Sequence, residues 1–423
     1  VRRGGKVEAF GICADDDYAS LPPVQFVLEE KKVSGSCAGI GYDWGDALTL
    51  LKYGRIDPMP LISMIVPLEE LEDAVNEIRK NPKLVKVLVS PEAKERDITN
   101  MKEKSGSGMV KRILNNPVSG PYIALIILLV IASIISPIFP TFKNITNILR
   151  QASIVGVVSI GMTMVLLVGG IDLSVTSTMA IAACVMARMM EPYVAAGGTG
   201  VYIGPVLLVM FFGFVIGLVN GSIIVCRGVE AFIITLGTGQ VLKGLNYIYT
   251  NGAPGGSVSK FWSTFGSKSL GGVIPYAVVL YAVIMVIFMI LLHKTVFGRH
   301  IYAIGSNSEA ARLSGVKVKF HKIMAYGLCG LTAAIAGVML AARVRVGEPN
   351  GSTGYDMDAI AAVVIGGTSM AGGRGSLICT LAGVLIMAVM NNILNLLGVN
   401  PYLQIVIKGL IILVAVLIQK KNK

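Results

Sequence analysis

Long uncharged segments dominate the chain after residue 110. Uncharged runs cover, for example, residues 113–142, 151–171 and 323–342. About 20 helical residues cross the hydrocarbon core of a bilayer, so each run is long enough for a transmembrane helix. The pattern predicts about ten spans, near residues 122–139, 151–170, 173–190, 203–226, 231–250, 273–293, 323–342, 357–372, 376–397 and 402–419.

Three of these spans are short or contain a charge, namely those that begin at residues 173, 231 and 357. Irregular backbone is tolerated at membrane depth only where protein or a water-filled cavity covers it. We therefore expect these three spans to be broken or re-entrant helices.

The charge distribution separates this region from the first 110 residues. The chain is 54% hydrophobic and only 15% charged, with a mean hydropathy of +0.71 and a net charge of +12. A soluble globular chain carries about 25% charged residues, so an ordinary soluble protein is excluded. The net positive charge lies after residue 110, whereas residues 1–110 have a small acidic excess. The sequence therefore predicts an all-α polytopic membrane protein preceded by a segment of a different kind.

Short loops give the orientation, because Lys and Arg are concentrated in cytoplasmic loops. The loop 297–322 carries five Lys or Arg residues against the single acid Glu309, which places it in the cytoplasm. Counting spans from there puts both ends of the membrane region inside and the loop 251–272 outside. Four cations are exceptions to this count: Lys143, Arg150, Arg343 and Arg345. Because the cations lie at span ends and do not interleave with aromatic residues, we predict no nucleic-acid partner.

Small polar residues interrupt several spans. Asp172 and Ser174 follow a glycine pair near the end of a span. A carboxylate at a helix centre costs about 2.5–3.5 kcal/mol on insertion scales, which favours a functional role. The alternative is that both residues cap the next helix by accepting bonds from its free N–H groups. Asn220 and Asn391 lie within apolar spans, where amides either bond across helices or contact substrate.

The two amide stretches resemble each other. The first contains Asn220, Gly228, Phe232 and Lys243, and the second contains Asn391, Gly398, Tyr402 and Lys408 in the same order. They lie five predicted spans apart, so the copies would have opposite orientations, as in the inverted repeats of transporters.

The basic loop 297–322 contains a predicted short helix. Ser306 and Glu309 have the spacing of a capping box, and Gly315 stops the helix one turn after Arg312. A short rigid helix in the cytoplasm is either a docking element or a solvated connector.

Four stretches carry a resemblance to a known family: Gly169–Ser174, Phe232–Gly237, Gly298–Gly315, and Ala359–Ser369 with Gly372–Ser376. Together they resemble the permease subunits of bacterial ABC importers for monosaccharides, the ribose-type branch. The likeness extends over nearly all of residues 110–420.

The resemblance implies several partners. The chain would pair with itself or with a sister permease, bind two cytoplasmic ABC ATPase subunits, and receive sugar from a periplasmic or lipid-anchored binding protein. It would lie among lipids in the bacterial plasma (inner) membrane as a multi-pass protein with both termini cytoplasmic. The loop helix would couple to the ATPase through Asn307, Glu309, Ala310, Ala311, Arg312 and Gly315.

The remaining site predictions follow from the residues themselves. The sequence contains no G-x-x-x-x-G-K-[S/T] loop, so ATP and Mg are expected on the partner ATPase. We predict no catalytic residue, no bound metal and no cofactor in this chain. Six residues are candidates for the translocation pathway by their positions in spans: Asp172, Ser174, Asn220, Thr235, Thr368 and Asn391.

The first hundred residues have an α/β pattern, with helical spacing over 66–79 and a strand-like run over 84–89. Several stretches resemble the carboxy-terminal end of medium-chain zinc-type alcohol and polyol dehydrogenases: Gly4–Val7, Gly35–Ser36, Leu50–Asp57, Pro67–Glu70 and Lys86–Val89. No residue matches that family's dinucleotide fingerprint or zinc ligands. We therefore expect an incomplete Rossmann-type fragment without dehydrogenase activity.

These observations predict three parts: a fragment over 1–95, a linker over 96–115 and a permease domain over 116–420. Met101, or Met109, in the linker is a candidate native start, which corresponds to the hypothesis that two neighbouring genes are read as one. Two other function classes stay open. An ion-coupled secondary transporter would also be built from inverted repeats, but its ion site would need more buried carboxylates than Asp172 alone. A membrane-anchored oxidoreductase would use residues 1–95.

Overall fold

A computed structural model describes residues 6–10, 32–36, 64–66, 73, 87–89 and 119–421. The chain divides into two compact units, Val1–Val110 and Lys111–Lys423. In the first, β1 (Lys6–Phe10) pairs in parallel with β2 (Lys32–Ser36), and β3 (Met64–Val66) pairs in parallel with β4 (Val87–Val89). Parallel pairs require crossover connections, which agrees with the predicted α/β character. Of the helix predicted over 66–79, the structure describes Val66, which ends β3, and Asp73, which is helical. The start proposed at Met101 lies outside the described residues, and the dehydrogenase likeness stays a prediction.

Within residues 119–421, the second unit is helical apart from one short hairpin and the connecting segments. Its helices are α1 (Ser119–Ile135), α2 (Phe142–Leu167), α3 (Val175–Ala195), α4 (Gly204–Arg227), α5 (Ala231–Thr250), α6 (Lys260–Ser267), α7 (Tyr276–Lys294), α8 (Val296–Ser306), α9 (Ser308–Leu313), α10 (Val318–Val344), α11 (Tyr355–Ile365), α12 (Leu377–Leu396) and α13 (Pro401–Lys421). The hairpin joins β5 (Ser269–Leu270) to β6 (Ile274–Pro275).

Five helices in the described part of the chain are long and apolar enough to cross a membrane: α2, α4, α7, α10 and α12. The shorter apolar helices Ser119–Ile135 and Pro401–Ile411 accompany them. Together they confirm a polytopic helical membrane protein. The largest departure from a predicted boundary is at α2, which begins at Phe142 and includes Lys143 and Arg150. The long stems of such side chains let a cation near a helix end reach the interface, so the charges did not end the helix.

The expected breaks occur at one of the three weak spans. α11 ends at Ile365, and irregular backbone follows until Leu377. For α3 and α5 the expectation is wrong, because both helices are continuous. Their charges do not force a break: Lys243 is exposed on α5, and Arg188 on α3 forms an ion pair with Glu191 one turn later.

α10 is the central helix of the membrane unit and packs against α2, α3 and α4. Its contact with α4 is very close. A Cβ added to Gly217 on α4 would overlap the backbone carbonyl of Tyr326 on α10, and one added to Gly330 would overlap the carbonyl of Gly213. Glycine at these positions lets the two backbones approach, as in other membrane helix pairs.

The contacts reveal two related halves, α2–α5 and α10–α13. The first helix of each half packs against the second and third helices of the other: α10 contacts α3 and α4, whereas α2 contacts α11 and α12. The third helix of each half is followed by a left-handed glycine, Gly228 with φ 65° and Gly398 with φ 67°. These features match the repeat inferred from the two amide stretches.

The close approach of α4 and α10 predicts opposite effects for two glycine substitutions. Gly217→Ala should destabilise the protein by about 1–3 kcal/mol, because the new methyl group meets fixed backbone. Gly244→Ala on α5 is the matched control, since a Cβ there meets nothing within 4 Å and alanine favours the helix. Thermal unfolding of the purified protein in detergent measures both; equal midpoints for the two variants would contradict the packing argument.

Candidate functional site

A buried chain of hydrogen bonds connects the start of α3 to α4 and α5. Asp172 Oδ1 accepts from the backbone N–H of Ser174 at 2.9 Å and from its hydroxyl at 2.6 Å. The Asn220 amide donates to Ser174 Oγ at 3.0 Å, and the Thr238 hydroxyl donates to Asn220 Oδ1 at 2.7 Å. Asp172, Ser174 and Asn220 are all buried. The network therefore fixes the break between α2 and α3 against two neighbouring helices.

This network bears on the two alternatives for Asp172 and Ser174, which were a functional role or capping of the next helix. Ser174 occupies the N-cap position of α3, but its side chain makes no cap bond to the helix. Asp172 instead binds the N–H of Ser174 itself. The expected capping by both side chains is thus wrong for Ser174, because its hydroxyl is engaged by Asp172 and Asn220.

A second polar cluster joins α11, α12 and α13. Lys408 Nζ lies 2.9 Å and 3.0 Å from the two carboxylate oxygens of Asp358, and the Asn391 amide donates to Asp358 Oδ2 at 3.4 Å. Both charged side chains are largely buried. The sequence analysis missed this ion pair, although a lone lysine in the last apolar span was a signal for it.

The two clusters occupy equivalent places in the two halves. In each, a carboxylate at or just before the start of the second helix meets an amide of the third helix: Asp172 with Asn220 through Ser174, and Asp358 with Asn391 directly. The neighbouring Asn392 forms a reciprocal amide pair with Asn144 on α2, at 2.9 and 2.7 Å. The amides therefore bond across helices, in agreement with a structural role.

The other two predicted pathway residues are also buried. The Thr235 hydroxyl donates to the Ala231 carbonyl of its own helix at 2.8 Å. Thr368 packs its side chain against Gly375 in the segment between α11 and α12. The structure thus does not gather the six candidates in one place, and their part in translocation stays a prediction.

A polar cavity of about 460 Å³ lies beside this network. It is lined by the start of α3, one face of α5 and the segment 349–357, and none of the six candidates is among its lining residues. The polar side chains in its wall include Ser177, Gln240, Lys243, Asn246, Asn350 and Asp356. Intramembrane charged residues face a bundle interior or a water-filled cavity, so this face of α5 does not suit lipid.

Two non-helical segments contribute to the polar cavity, one between α2 and α3 and one between α10 and α11, and we call them the two helix breaks. Leu173 comes from the break between α2 and α3, and residues 349–354 come from the break between α10 and α11. The Ser352 hydroxyl donates to the Thr176 carbonyl at 2.9 Å, which ties the second break to the start of α3. Transporter sites commonly lie at such an interface between repeats, where discontinuous helices meet.

The short helix α9 forms where the sequence predicts it, but with a different cap. Asn307 has extended backbone and its Oδ1 accepts from the N–H groups of Glu309 at 3.0 Å and Ala310 at 2.9 Å. The predicted capping box at Ser306 is therefore wrong, because α8 continues through Ser306 and leaves Asn307 as the first non-helical residue. The predicted stop is confirmed: Gly315 has φ 84° and donates to the Arg312 carbonyl.

The surface of α9 is charged but internally paired. Arg312 Nε donates to Glu309 Oε2 at 3.0 Å, and both side chains are exposed. The Arg312 guanidinium lowers the pKa of the Glu309 carboxyl below its usual value. Ala311 is buried and holds the helix to the body, whereas Leu313 is 73% exposed at its end. The exposed surface of the helix thus includes one ion pair and the large apolar side chain of Leu313.

Comparisons with known proteins agree over the membrane unit. Residues 144–416 match the family described as "Branched-chain amino acid transport system / permease component". The chain is 44% identical over 308 residues to the ribose import permease protein of Bacillus subtilis, covering 72% of this chain and 92% of that protein. It is 42% identical over 306 residues to the ribose import permease protein of Escherichia coli K12, covering 71% of this chain and 93% of that protein. It is 38% identical over 312 residues to the galactose/methyl galactoside import permease protein of Escherichia coli K12, covering 70% and 92%. No solved structure matches the chain.

The ion pair between α11 and α13 predicts a strong effect of removing one partner. Lys408→Met should destabilise the protein by about 3–5 kcal/mol, because it leaves the Asp358 carboxylate buried without its cation. Adding Asp358→Asn should restore much of the loss. Lys243→Met is the matched control, since Lys243 forms no salt bridge with a described residue. Thermal unfolding in detergent compares all three, and a Lys408→Met midpoint no lower than that of Lys243→Met would refute the role assigned to the pair.

Proposed function

The chain belongs to the family of branched-chain amino acid transport system permease components, and we propose that it is the membrane-spanning permease of an ATP-driven importer for a monosaccharide. The observation that carries this is the similarity to ribose and galactose import permeases over almost their whole length. ATP hydrolysis belongs to a separate subunit, so the chain is a transport component and not an enzyme. The membrane location follows from its apolar helices.

Ten spans are proposed, formed by α1 to α5, α7 and α10 to α13, with both termini cytoplasmic. Contacts between loops support this topology. Gly255 and Gly347, in two loops assigned to the outside, exchange backbone hydrogen bonds of 3.0 Å. On the opposite side, the Tyr302 hydroxyl after α7 donates to the Gly375 carbonyl between α11 and α12 at 2.9 Å. Loops assigned to the same side of the bilayer therefore contact each other.

We place the sugar pathway along the polar cavity. We place the second permease across this cavity, against the face of α5 that lines it. Gln240 and Lys243 lie on an exposed face of α5 in the middle of a span, and a second permease would cover this face and exclude lipid. The second permease is a copy of this chain or a sister subunit. Amide side chains such as Gln240, Asn246 and Asn350 offer both donors and acceptors, which matches the hydroxyl groups of an uncharged sugar.

The cytoplasmic partner is an ABC ATPase that binds α9. In support, α9 is a compact, well-capped helix whose exposed side chains include Glu309, Arg312 and Leu313. Binding of ATP would bring two ATPase subunits together and move the two α9 helices of the permease pair. A binding protein on the outer side, periplasmic or lipid-anchored, would supply the sugar.

Reconstitution distinguishes this function from its rivals. Proteoliposomes containing the chain should take up ribose or galactose only when the cognate ATPase, the binding protein and ATP are all supplied. An ion gradient alone should give no uptake, because the two buried carboxylates Asp172 and Asp358 are both engaged by partners. Uptake driven by the gradient in the absence of ATPase would show a secondary transporter instead.

Charge reversal on α9 tests the ATPase contact. Arg312→Glu breaks the ion pair and places a second carboxylate beside Glu309, which should weaken ATPase binding by about tenfold or more. The double exchange Glu309→Arg with Arg312→Glu keeps an ion pair and should recover part of the affinity. Arg227→Glu, at the exposed cytoplasmic end of α4, is the control. Affinity is measured with the purified subunit, and equal binding by all variants would place the contact elsewhere.

A further inference from the structure

Three backbone segments meet at a point directly before α9. They are the end of α8 at Gly305 and Ser306, the end of α2 at Leu167 and Gly169, and the tip of the loop between α11 and α12 at Gly372 and Gly373. We call this the glycine junction. We propose that the glycine junction is the coupling element that transmits displacement of α9 to the break between α2 and α3, and that Gly305 and Gly373 are positioning residues for transport.

The junction is built from main-chain contacts. The Gly373 N–H donates to the Leu167 carbonyl at 3.0 Å. A Cβ added to Gly305 would overlap the Leu167 carbonyl and the Gly373 amide, and one added to Gly373 would lie 2.6–2.8 Å from atoms of Ser306. Gly372 in turn lies against both Gly169 and Gly305. At Gly305 and Gly373, no side chain larger than a hydrogen atom fits between the segments.

Such a contact transmits displacement more directly than side-chain packing does. A side chain can absorb a small shift by changing rotamer, whereas backbone in van der Waals contact cannot. The junction is also fixed to α9 on its other side: Ser306 is followed at once by Asn307, whose side chain caps α9. A movement of α9 therefore reaches Leu167 and Gly373 without a flexible intermediary.

From the junction the displacement reaches the polar cavity. Gly169 belongs to the break that carries Asp172, and Asp172 holds Ser174 at the start of α3. Leu173 in the same break lines the cavity. On the other branch, the loop of Gly373 leads into α12, which packs on α2 and α11. One cytoplasmic contact thus connects to both halves of the membrane domain.

The inference rests on the proposed function, since it requires an ATPase that moves α9. The alternative is that the glycines only allow dense packing. The two explanations predict different effects of a substitution. If the glycines only allow packing, a substitution lowers the amount of folded protein. If they couple α9 to the membrane domain, a substitution lowers sugar uptake per ATP hydrolysed in the protein that does fold.

The test uses the complete importer in proteoliposomes. Gly305→Ala and Gly373→Ala should still bind the ATPase and hydrolyse ATP, while uptake per ATP falls by about fivefold or more. Gly120→Ala controls for a helical glycine, and Gly228→Ala controls for one with positive φ, because a Cβ at either meets nothing within 4 Å. A parallel loss of uptake and hydrolysis, or no greater change than in the controls, overturns the proposal.

A second measurement needs no variant and so survives poor folding. Amide hydrogen exchange of the wild-type importer is compared between the nucleotide-free and vanadate-trapped states. We expect exchange to change together in peptides covering residues 165–177, 303–315 and 369–376. A change confined to 303–315 overturns the inference, because α9 would then move without its junction. If the wild-type chain binds no ATPase at all, the proposed function is wrong. That result differs from both outcomes of the exchange experiment, which require a bound ATPase.

Discussion

The membrane domain is organised by the need to satisfy backbone hydrogen bonds where its helices are interrupted. Unpaired N–H and C=O groups are not tolerated in hydrocarbon, so an interruption must be covered by protein. At the first break, Gly170 N–H donates to the Val165 carbonyl, and the Asp172 carboxylate receives the N–H of Ser174. At the second, the Asn350 N–H donates to the Glu348 carboxylate, and the Ser352 hydroxyl donates to the Thr176 carbonyl. The packing around α2 and α10 follows from covering these two sites.

The two halves meet this requirement with different chemistry. In the first half a series of neutral donors and one carboxylate runs from Asp172 to Thr238, so the charge is spread over hydrogen bonds. In the second half the carboxylate of Asp358 is neutralised by a cation, Lys408. The same order of helices thus accommodates either hydrogen bonds or an ion pair to the carboxylate. The feature common to both halves is the position of the carboxylate next to an amide of the third helix. This explains why the amides and glycines of the two stretches correspond, whereas the two carboxylates lie at different distances from them along the chain.

Much of this architecture could be predicted from the sequence, because it depends on local pattern. Uncharged runs located the spans, and Gly315 located the end of α9. The errors arose where a property depends on residues distant in the chain or on a helix boundary. The pairing of Lys408 with Asp358 requires knowing that α13 lies on α11. The cap of α9 moved from Ser306 to Asn307 because α8 extends further than the pattern indicates. Of the candidate site, the sequence identified the buried polar residues but missed the cavity, whose walls come from α3, α5 and a loop more than 100 residues later.

The contrast between Lys243 and Lys408 bears on how the pathway is lined. These lysines are counterparts in the repeat, yet Lys408 is held by a carboxylate while Lys243 lies in the wall of the polar cavity, 5.8 Å from the centre of the Tyr247 ring. An ammonium group with a buried counterion is fixed and electrically cancelled, so α13 can pack against apolar neighbours. An ammonium group without one requires water or polar partners, and the same cavity wall carries the polar side chains of Gln240, Asn246, Asn350 and Asp356. The asymmetry therefore assigns solvation to α5 and anchoring to α13, so the second permease proposed above would have to keep the α5 face polar.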